Sequence, residues 1–218
     1  NVDAAVLAQA VEQAIVDRAG CDVSDRLTGL RELEAQDKEA FHRALSQPGA
    51  SAAGLAVAAT VSHAVASVLR EATSRIYPLT PVVFWNDEHV KRLQYDWHQE
   101  RSYYPDRFSV HAWFPLFRDI GAEDGPMIVA SGSHAEHLSF ATERKQGGLT
   151  QHRIEAEELA GFPKVACTLP RGDALIFHEN LAHRTSPNES GLPRVSGIVR
   201  SFLPLSDPDF RPVLSHLV

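Results

Sequence analysis

His98 and Glu100 stand two positions apart in a segment, Leu93–Glu100, that the sequence predicts to be a β-strand. In a strand, the side chains of residues i and i+2 project from the same face. An imidazole and a carboxylate would therefore lie side by side, where they could bind a metal ion together. Because any strand can contain such a pair by chance, this interpretation depends on a further ligand elsewhere in the chain.

A second cluster supplies that ligand. A Gly-Asp turn signal precedes an apolar segment, and His183 follows shortly before a Pro-Asn turn. With His98 and Glu100, His183 completes a set of two histidines and one carboxylate. Such a set binds one face of an octahedral metal and leaves three positions open, which is the facial triad of non-haem Fe(II) oxygenases.

Arg194 and Ser196 form another pair at i and i+2, again within a predicted strand. The planar fork of a guanidinium donates two parallel hydrogen bonds to a carboxylate, and a hydroxyl on the same face assists it. A 2-oxo acid could chelate iron through one end and meet Arg194 with the other. The pair therefore predicts a binding site for an organic acid co-substrate.

The order of these motifs resembles the phytanoyl-CoA dioxygenase family of 2-oxoglutarate oxygenases. The resemblance covers roughly Tyr95 to Phe202 and includes Gly132-Ser133-His134 between the two clusters. It implies a double-stranded β-helix core with helices packed against one sheet. The cofactors that it implies are Fe(II), 2-oxoglutarate and O₂.

The resemblance also implies a role for each motif residue. Iron would be held by His98, Glu100 and His183. 2-Oxoglutarate would be anchored by Arg194, assisted by Ser196. Trp113 matches a tryptophan that is common in this family near the co-substrate.

Glu100 and His178 bear on the match to the family pattern. Glu100 stands where the family usually has Asp, and we interpret it as a tolerated ligand that slightly repositions the metal. His178 competes for the role of the second histidine, because it also follows the apolar segment. The family places the ligand several residues after the phenylalanine that corresponds to Phe177, which favours His183.

The predicted elements divide the chain into a mainly helical part, residues 1–76, and a β-rich part, residues 77–205, within a single domain. Short β-branched and aromatic segments separated by turn residues favour a sandwich or barrel, with the helices outside it. A lid-like insertion is predicted over residues 133–162, with a short helix near Ile154–Leu159. The predicted helices are Asp3–Ala19, Leu30–Leu45 and Ala52–Ala72. The other predicted strands are Val82–Trp85, Phe108–Leu116, Pro126–Ala130, Val165–Leu169, Ala174–His178 and Val195–Leu203.

Composition limits the possible partners. The 218 residues carry a net charge of −7 without a basic run, which argues against nucleic acid. No stretch approaches the roughly 18 uninterrupted apolar residues that a membrane helix needs, so no membrane partner is predicted. Cys21 and Cys167 are too few for a disulfide framework, and a cytoplasmic setting is expected. The sequence begins at Asn1, so we expect the native start to be missing; the oligomeric state is left open.

The predicted reaction is hydroxylation of an unactivated C–H bond in a small organic substrate, with release of succinate and CO₂. Tyr103, Tyr104 and His111 are candidate substrate-binding residues, although core packing is the alternative for each. The same oxidant could instead give desaturation, cyclisation or epimerisation. A non-catalytic β-helix that binds a metal or ligand would also fit the triad, as would a zinc hydrolase, which assigns no role to Arg194.

Overall fold

The part of the chain that the computed structural model describes comprises residues 26–70, 76–89, 94–105, 108–144 and 150–203, with the single positions Ala5 and Gln9. The predicted helix Asp3–Ala19 therefore lies outside the described residues, those two positions apart.

Three helices precede the sheets: α1 (Arg26–Gln36), α2 (Lys38–Gly49) and α3 (Ala52–Leu69). The single helix predicted over Leu30–Leu45 is wrong, because Asp37 interrupts it. The Asp37 carboxylate accepts a hydrogen bond from the backbone N–H of Ala40 at 2.9 Å and thereby caps the start of α2.

Helix α3 is apolar enough and long enough to meet the criterion for a membrane span, with a mean hydropathy of 1.7 over its 18 residues. Core helices meet the same criterion. Val57, Val61 and Val65 are buried in the main hydrophobic cluster, where α3 packs beside the sheets. The packing of this face is that of a core helix.

The strands form two sheets and a hairpin. Their bounds are β1 (Tyr77–Pro78), β2 (Val82–Asn86), β3 (Phe108–Pro115), β4 (Met127–Ala130), β5 (Ala141–Arg144), β6 (Thr150–Arg153), β7 (Lys164–Cys167), β8 (Leu175–His178), β9 (His183–Thr185) and β10 (Arg194–Leu203). In the larger sheet, β10 pairs with β1, β2 and β3, and β3 pairs with β8. In the smaller sheet, β4 lies between β7 and β9, and β5 pairs with β6 separately. All of these pairings are antiparallel.

Alternation along β10 separates the helical layer from the space between the sheets. Val195 and Val199 belong to the cluster that includes the helices. Ile198 belongs instead to a cluster with Trp113 of the larger sheet and Met127 of the smaller one. One face of β10 therefore meets the helices and the other faces the smaller sheet, as a double-stranded β-helix with an outer helical layer requires.

Gly197 lies where β10 passes close to β3. A Cβ atom added at this position would lie 2.6 Å from the ring of Phe114. We expect Gly197→Ala to lower the free energy of unfolding by about 1–3 kcal/mol, because the core must shift to admit the methyl group. Urea unfolding followed by circular dichroism measures the change.

Gly161→Ala is the matched control, because within the described part of the chain no atom lies within 4 Å of a Cβ built at Gly161. Equal unfolding midpoints for the two variants would contradict the assigned close contact between β3 and β10.

The predicted strands agree with the structure within a few residues, except for Leu93–Glu100. Of that segment, residues 94–100 do not form a regular strand: His98 makes an isolated bridge with His183, and Glu100 begins a 3₁₀ turn, Glu100–Ser102. In the region predicted as a lid, the described residues form two short 3₁₀ turns, Ser133–Ala135 and Glu157–Leu159, and the β5–β6 hairpin between them.

Candidate metal centre

His98, Glu100 and His183 converge on one point between the sheets. One ligand atom from each side chain lies within 4.8 Å of the others, and all three residues are buried. The Nε2 atom of His183 lies 4.0 Å from Oε1 of Glu100. The structure therefore brings together the three residues that the sequence predicted as metal ligands.

The backbone produces this convergence in a different way from the predicted strand. The N–H of His98 donates to the carbonyl of His183 at 3.0 Å, and the N–H of His183 donates to the carbonyl of His98 at 3.0 Å. This reciprocal pair fixes the two imidazoles beside each other, with ring centroids 4.2 Å apart. Glu100 reaches the same point from the 3₁₀ turn that follows.

The tautomers of both histidines are set by backbone carbonyls. Nδ1 of His98 lies 2.7 Å from the carbonyl of Asp96, and Nδ1 of His183 lies 2.9 Å from that of Leu181. A carbonyl can only accept, so each Nδ1 carries the proton and each Nε2 carries the lone pair. Metal-binding histidines are oriented in this way by their outer-shell partners.

The charge state of the cluster suits a metal cation. Burial of Glu100 opposes its charge, but the Arg200 guanidinium holds the pKa of the carboxyl well below its usual range. Burial and the neighbouring His98 lower the pKa of His183 to about 3, so this imidazole is neutral at neutral pH. A carboxylate and a neutral imidazole are the forms that bind metal.

Gln99, between two of the ligands, anchors this segment on the opposite side. Its amide donates to the carbonyls of Glu136, at 2.9 Å, and Asn180, and its Oε1 accepts from the N–H of Leu138 at 2.9 Å. The Ser133 hydroxyl accepts from the N–H of Ala182 at 2.8 Å, next to His183. The sequence did not identify Gln99, and it identified Ser133 only as part of a motif; both position the ligand-bearing backbone.

Glu179 holds the turn that carries Glu100. Its buried carboxylate accepts from Arg101 at 2.8 Å and from the N–H and hydroxyl of Ser109 at 2.7 and 2.9 Å. The 3₁₀ turn is thereby tied to β3. Glu179 could not be identified from the sequence, because the local pattern does not show the distant residues that it contacts.

Arg200 is the most important site residue that the sequence analysis missed. Its Nε and Nη2 atoms donate to the two carboxylate oxygens of Glu100 at 3.2 and 3.3 Å. The signal that could have found it was strand alternation, since Arg200 lies an even number of positions after Arg194 and so shares its face.

Arg194, Ser196 and Trp113 lie together, as predicted. Nη1 of Arg194 donates to the Ser196 hydroxyl at 3.1 Å, and the guanidinium carbon lies 5.3 Å from the centre of the Trp113 ring. Burial lowers the pKa of Arg194 to about 10, so it remains charged at neutral pH. Its buried Nε has no hydrogen-bond partner in the described structure.

A cavity of about 290 Å³ connects these groups. Its wall includes the three predicted ligands, the predicted co-substrate residues Arg194 and Trp113, and the predicted substrate residues Tyr103 and Tyr104. Ser196 supports Arg194 from behind the wall. Thr150 at the start of β6 also lines the cavity, so the β5–β6 hairpin of the predicted lid contributes to it.

His111 and His178 lie away from the cavity. His111 shares the face of Trp113, as predicted, but it is fully buried, hydrogen-bonded to the Ser109 hydroxyl at 3.0 Å and stacked on Phe177. His111 therefore occupies a core position, which was the stated alternative to its predicted role in substrate binding. His178 lies outside the ligand cluster, and its Nδ1 accepts from the N–H of Asn180 at 3.0 Å.

These two buried histidines predict how stability depends on pH. Burial lowers the pKa of both His111 and His178 to about 4, whereas an unfolded histidine titrates near 6.5. Between these values the unfolded chain binds protons that the folded chain does not. We therefore expect metal-free protein to lose stability as pH falls from about 6.5 to 4, by about 1.4 kcal/mol per pH unit for each of these two histidines, with a further contribution from His183, whose pKa burial also lowers.

Urea unfolding at a series of pH values measures this loss. His178→Asn should reduce the slope, because the variant has one fewer buried imidazole to protonate. Constant stability between pH 6.5 and 5 would contradict the expectation. The carboxylates with lowered pKa, such as Asp124, contribute mainly at lower pH.

The sequence profile of the family described as phytanoyl-CoA dioxygenase (PhyH) matches residues 7–196. The chain belongs to this family. This match confirms the resemblance predicted from the sequence. Enzymes of the family use Fe(II), 2-oxoglutarate and O₂, and these are the predicted cofactors. Comparison with curated proteins gives no match.

Solved structures with similar folds agree with the architecture. EvdO2 from Micromonospora carbonacea var. aurantiaca is 17% identical with a TM-score of 0.55, covering 81% of this chain and 68% of that protein. The non-heme monooxygenase ThoJ in its apo form is 19% identical with a TM-score of 0.56, covering 91% of this chain and 71% of its own. These similarities confirm the predicted fold class.

Proposed function

We propose that this chain is an Fe(II)- and 2-oxoglutarate-dependent oxygenase that hydroxylates an unactivated C–H bond of a small organic substrate. The observation that carries the proposal is the shared cavity, which has the ligand cluster and the buried, charged Arg194 in the same wall. EvdO2 has also been solved in complex with 2-oxoglutarate, with a TM-score of 0.53 to this chain. In the overall reaction, one oxygen atom of O₂ enters the substrate and the other enters succinate, with release of CO₂.

The residues present fit a divalent metal. His98, Glu100 and His183 offer two nitrogens and one oxygen, the ligand set of non-haem Fe(II) sites with open positions. The fixed Nδ1–H tautomers present Nε2 to the metal, and the lowered pKa of Glu100 keeps its carboxylate ionised. Bound iron supplies the activation of O₂ that oxidises the C–H bond.

Arg194 binds the remote carboxylate of 2-oxoglutarate in this proposal. Its Nε is buried without an acceptor in the described part of the chain, and leaving such a donor unpaired costs free energy that a bound carboxylate restores. Ser196 fixes the guanidinium, and Trp113 packs against it. Arg194 is buried, and a charged hydrogen bond is stronger in a buried position than in water.

Anaerobic titration of Fe(II) and 2-oxoglutarate into metal-free protein tests the proposal. Visible charge-transfer absorption should develop only when both are present. Metal binding without this absorption would contradict the co-substrate assignment and favour a zinc hydrolase or a metal-binding sensor. Absence of metal binding would contradict the ligand assignment.

The outcome of the reaction needs a second measurement. After O₂ is admitted, each substrate that stimulates succinate formation is analysed by mass spectrometry. Hydroxylation adds one oxygen atom to the product, whereas desaturation and cyclisation remove two hydrogens and epimerisation leaves the mass unchanged. A product without added oxygen would contradict the proposed hydroxylation.

A further inference from the structure

Arg200 has donor capacity that its ion pair with Glu100 does not use. It approaches Glu100 side-on through Nε and Nη2. Within the described ranges, the side-chain hydrogen bonds of Arg200 come from Nε and Nη2 and none comes from its third nitrogen, Nη1. The side chain is only 15% exposed, yet it lines the cavity. The unused edge of this guanidinium is therefore available to a molecule that enters the cavity.

The cavity wall carries an excess of positive charge. Its charged side chains are Arg184, Arg194 and Arg200 against the single carboxylate of Glu100. Arg184 packs over Trp97, with its guanidinium carbon 5.5 Å from the ring centre, and its buried Nε also lacks a partner in the described structure. Besides Arg194, the cationic side chains of Arg184 and Arg200 therefore have hydrogen-bond donors that no described residue uses.

Cofactor binding increases the need for an anion beside Arg200. A divalent metal adds two positive charges, and the dianion 2-oxoglutarate offsets only those two. When Glu100 binds both the metal and Arg200, its negative charge compensates the Arg200 guanidinium less completely. A buried cation that loses part of its compensation is costly, and an anionic group at Nη1 would offset that cost.

The wall near Arg200 indicates what accompanies the anionic group. Tyr95, Tyr103 and Tyr104 all line the cavity. Aromatic rings favour contact with apolar or planar groups, and their hydroxyls can assist an anion. The Tyr103 hydroxyl already accepts from the N–H of His152 at 3.1 Å, so its own proton is available to donate.

We propose that the substrate is an organic acid with an apolar or aromatic body, and that its carboxylate binds to the unused edge of Arg200. This inference rests on the proposed function, because it places the substrate in the cavity that holds iron and 2-oxoglutarate. Arg200 then contacts both a metal ligand and the substrate, and it selects acids over their uncharged analogues.

The first test uses phenylacetate and 3-phenylpropionate as probes, with the matching amides as uncharged controls. Anaerobic calorimetry measures their binding to protein loaded with Fe(II) and 2-oxoglutarate. We expect each acid to bind about tenfold to a hundredfold more tightly than its amide, as a charged hydrogen bond provides. Arg200→Gln should remove this preference, whereas Arg171→Gln, at an exposed position, should retain it.

The second test requires no metal. In metal-free protein, Glu100→Gln removes the carboxylate that pairs with Arg200, so the acids should bind about tenfold more tightly than to metal-free wild type. The double variant Glu100→Gln/Arg200→Gln should lose this gain. Because neither sample contains iron, direct coordination of the probe to the metal cannot explain the result.

Three outcomes would overturn the proposal: equal binding of acids and amides to the loaded protein, a preference for acids that persists in loaded Arg200→Gln, or a gain from Glu100→Gln that the double variant retains. The charge-transfer absorption of the loaded wild type separates these outcomes from failure of the proposed function. If the absorption forms while the acids show no preference, the substrate class is wrong and the oxygenase assignment stands. If it does not form, the proposed function fails, and the metal-free test decides about Arg200 alone.

Discussion

His183→Ala should lose more than a hundredfold in affinity for Fe(II). Loss of an outer-shell partner costs a metal site about tenfold to a hundredfold, and His183 offers the metal a nitrogen directly. The remaining pair, His98 and Glu100, can bind only through one nitrogen and one carboxylate. Competition with a metal-binding dye under anaerobic conditions measures the affinity.

His178→Asn is the matched control, because His178 was the alternative ligand in the sequence and lies outside the cluster. This variant should bind Fe(II) as wild type does. The reverse result, with metal lost in His178→Asn and kept in His183→Ala, would show that the ligand assignment is wrong. Circular dichroism of both variants ensures that misfolding is not mistaken for ligand loss.

Arg194→Ala should raise the 2-oxoglutarate concentration needed for half-saturation by at least about thirtyfold, with Fe(II) affinity unchanged. Removing one partner of a buried charged hydrogen bond costs about 2–5 kcal/mol. The buried position of Arg194 keeps water from replacing the lost donor. Anaerobic titration of 2-oxoglutarate at saturating Fe(II), followed by the charge-transfer absorption, measures the change.

Ser196→Ala provides a graded comparison for this prediction. Ser196 touches the guanidinium and not the cavity, so its loss should weaken 2-oxoglutarate binding about twofold to tenfold. Arg194→Ala without a change in the half-saturating concentration would place the anchor of the co-substrate elsewhere.

Residue type and order sufficed to predict the ligand cluster, because few combinations of side chains can bind Fe(II) and a 2-oxo acid together. The geometry around Glu100 could not be predicted in the same way. Because side chains alternate along a strand, the sequence predicted that His98 and Glu100 are neighbours on one face of a strand. Tertiary contacts of Gln99 and Arg101 instead end the extended backbone there. The two side chains still converge, but tertiary contacts and not local spacing bring them together.

The residues that position the ligands and helices differ in whether the sequence could have predicted them. Arg200 could have been found, because alternation along β10 places it on the face of Arg194. Gln99 and Glu179 could not, since their partners lie far away in the chain and no local pattern identifies them. The break at Asp37 was within reach, because Asp is a preferred N-cap residue, yet the apolar spacing on either side favoured one continuous helix.

The reciprocal hydrogen bonds between His98 and His183 make their two amide protons reporters of the metal centre. Neither proton can exchange with solvent unless the contact between β9 and the segment that carries His98 opens, and that opening separates two of the three ligands. A bound metal therefore slows exchange at these amides in proportion to its affinity, while amides on the helical layer need not respond. Hydrogen exchange at two backbone positions would measure how often the empty site comes apart.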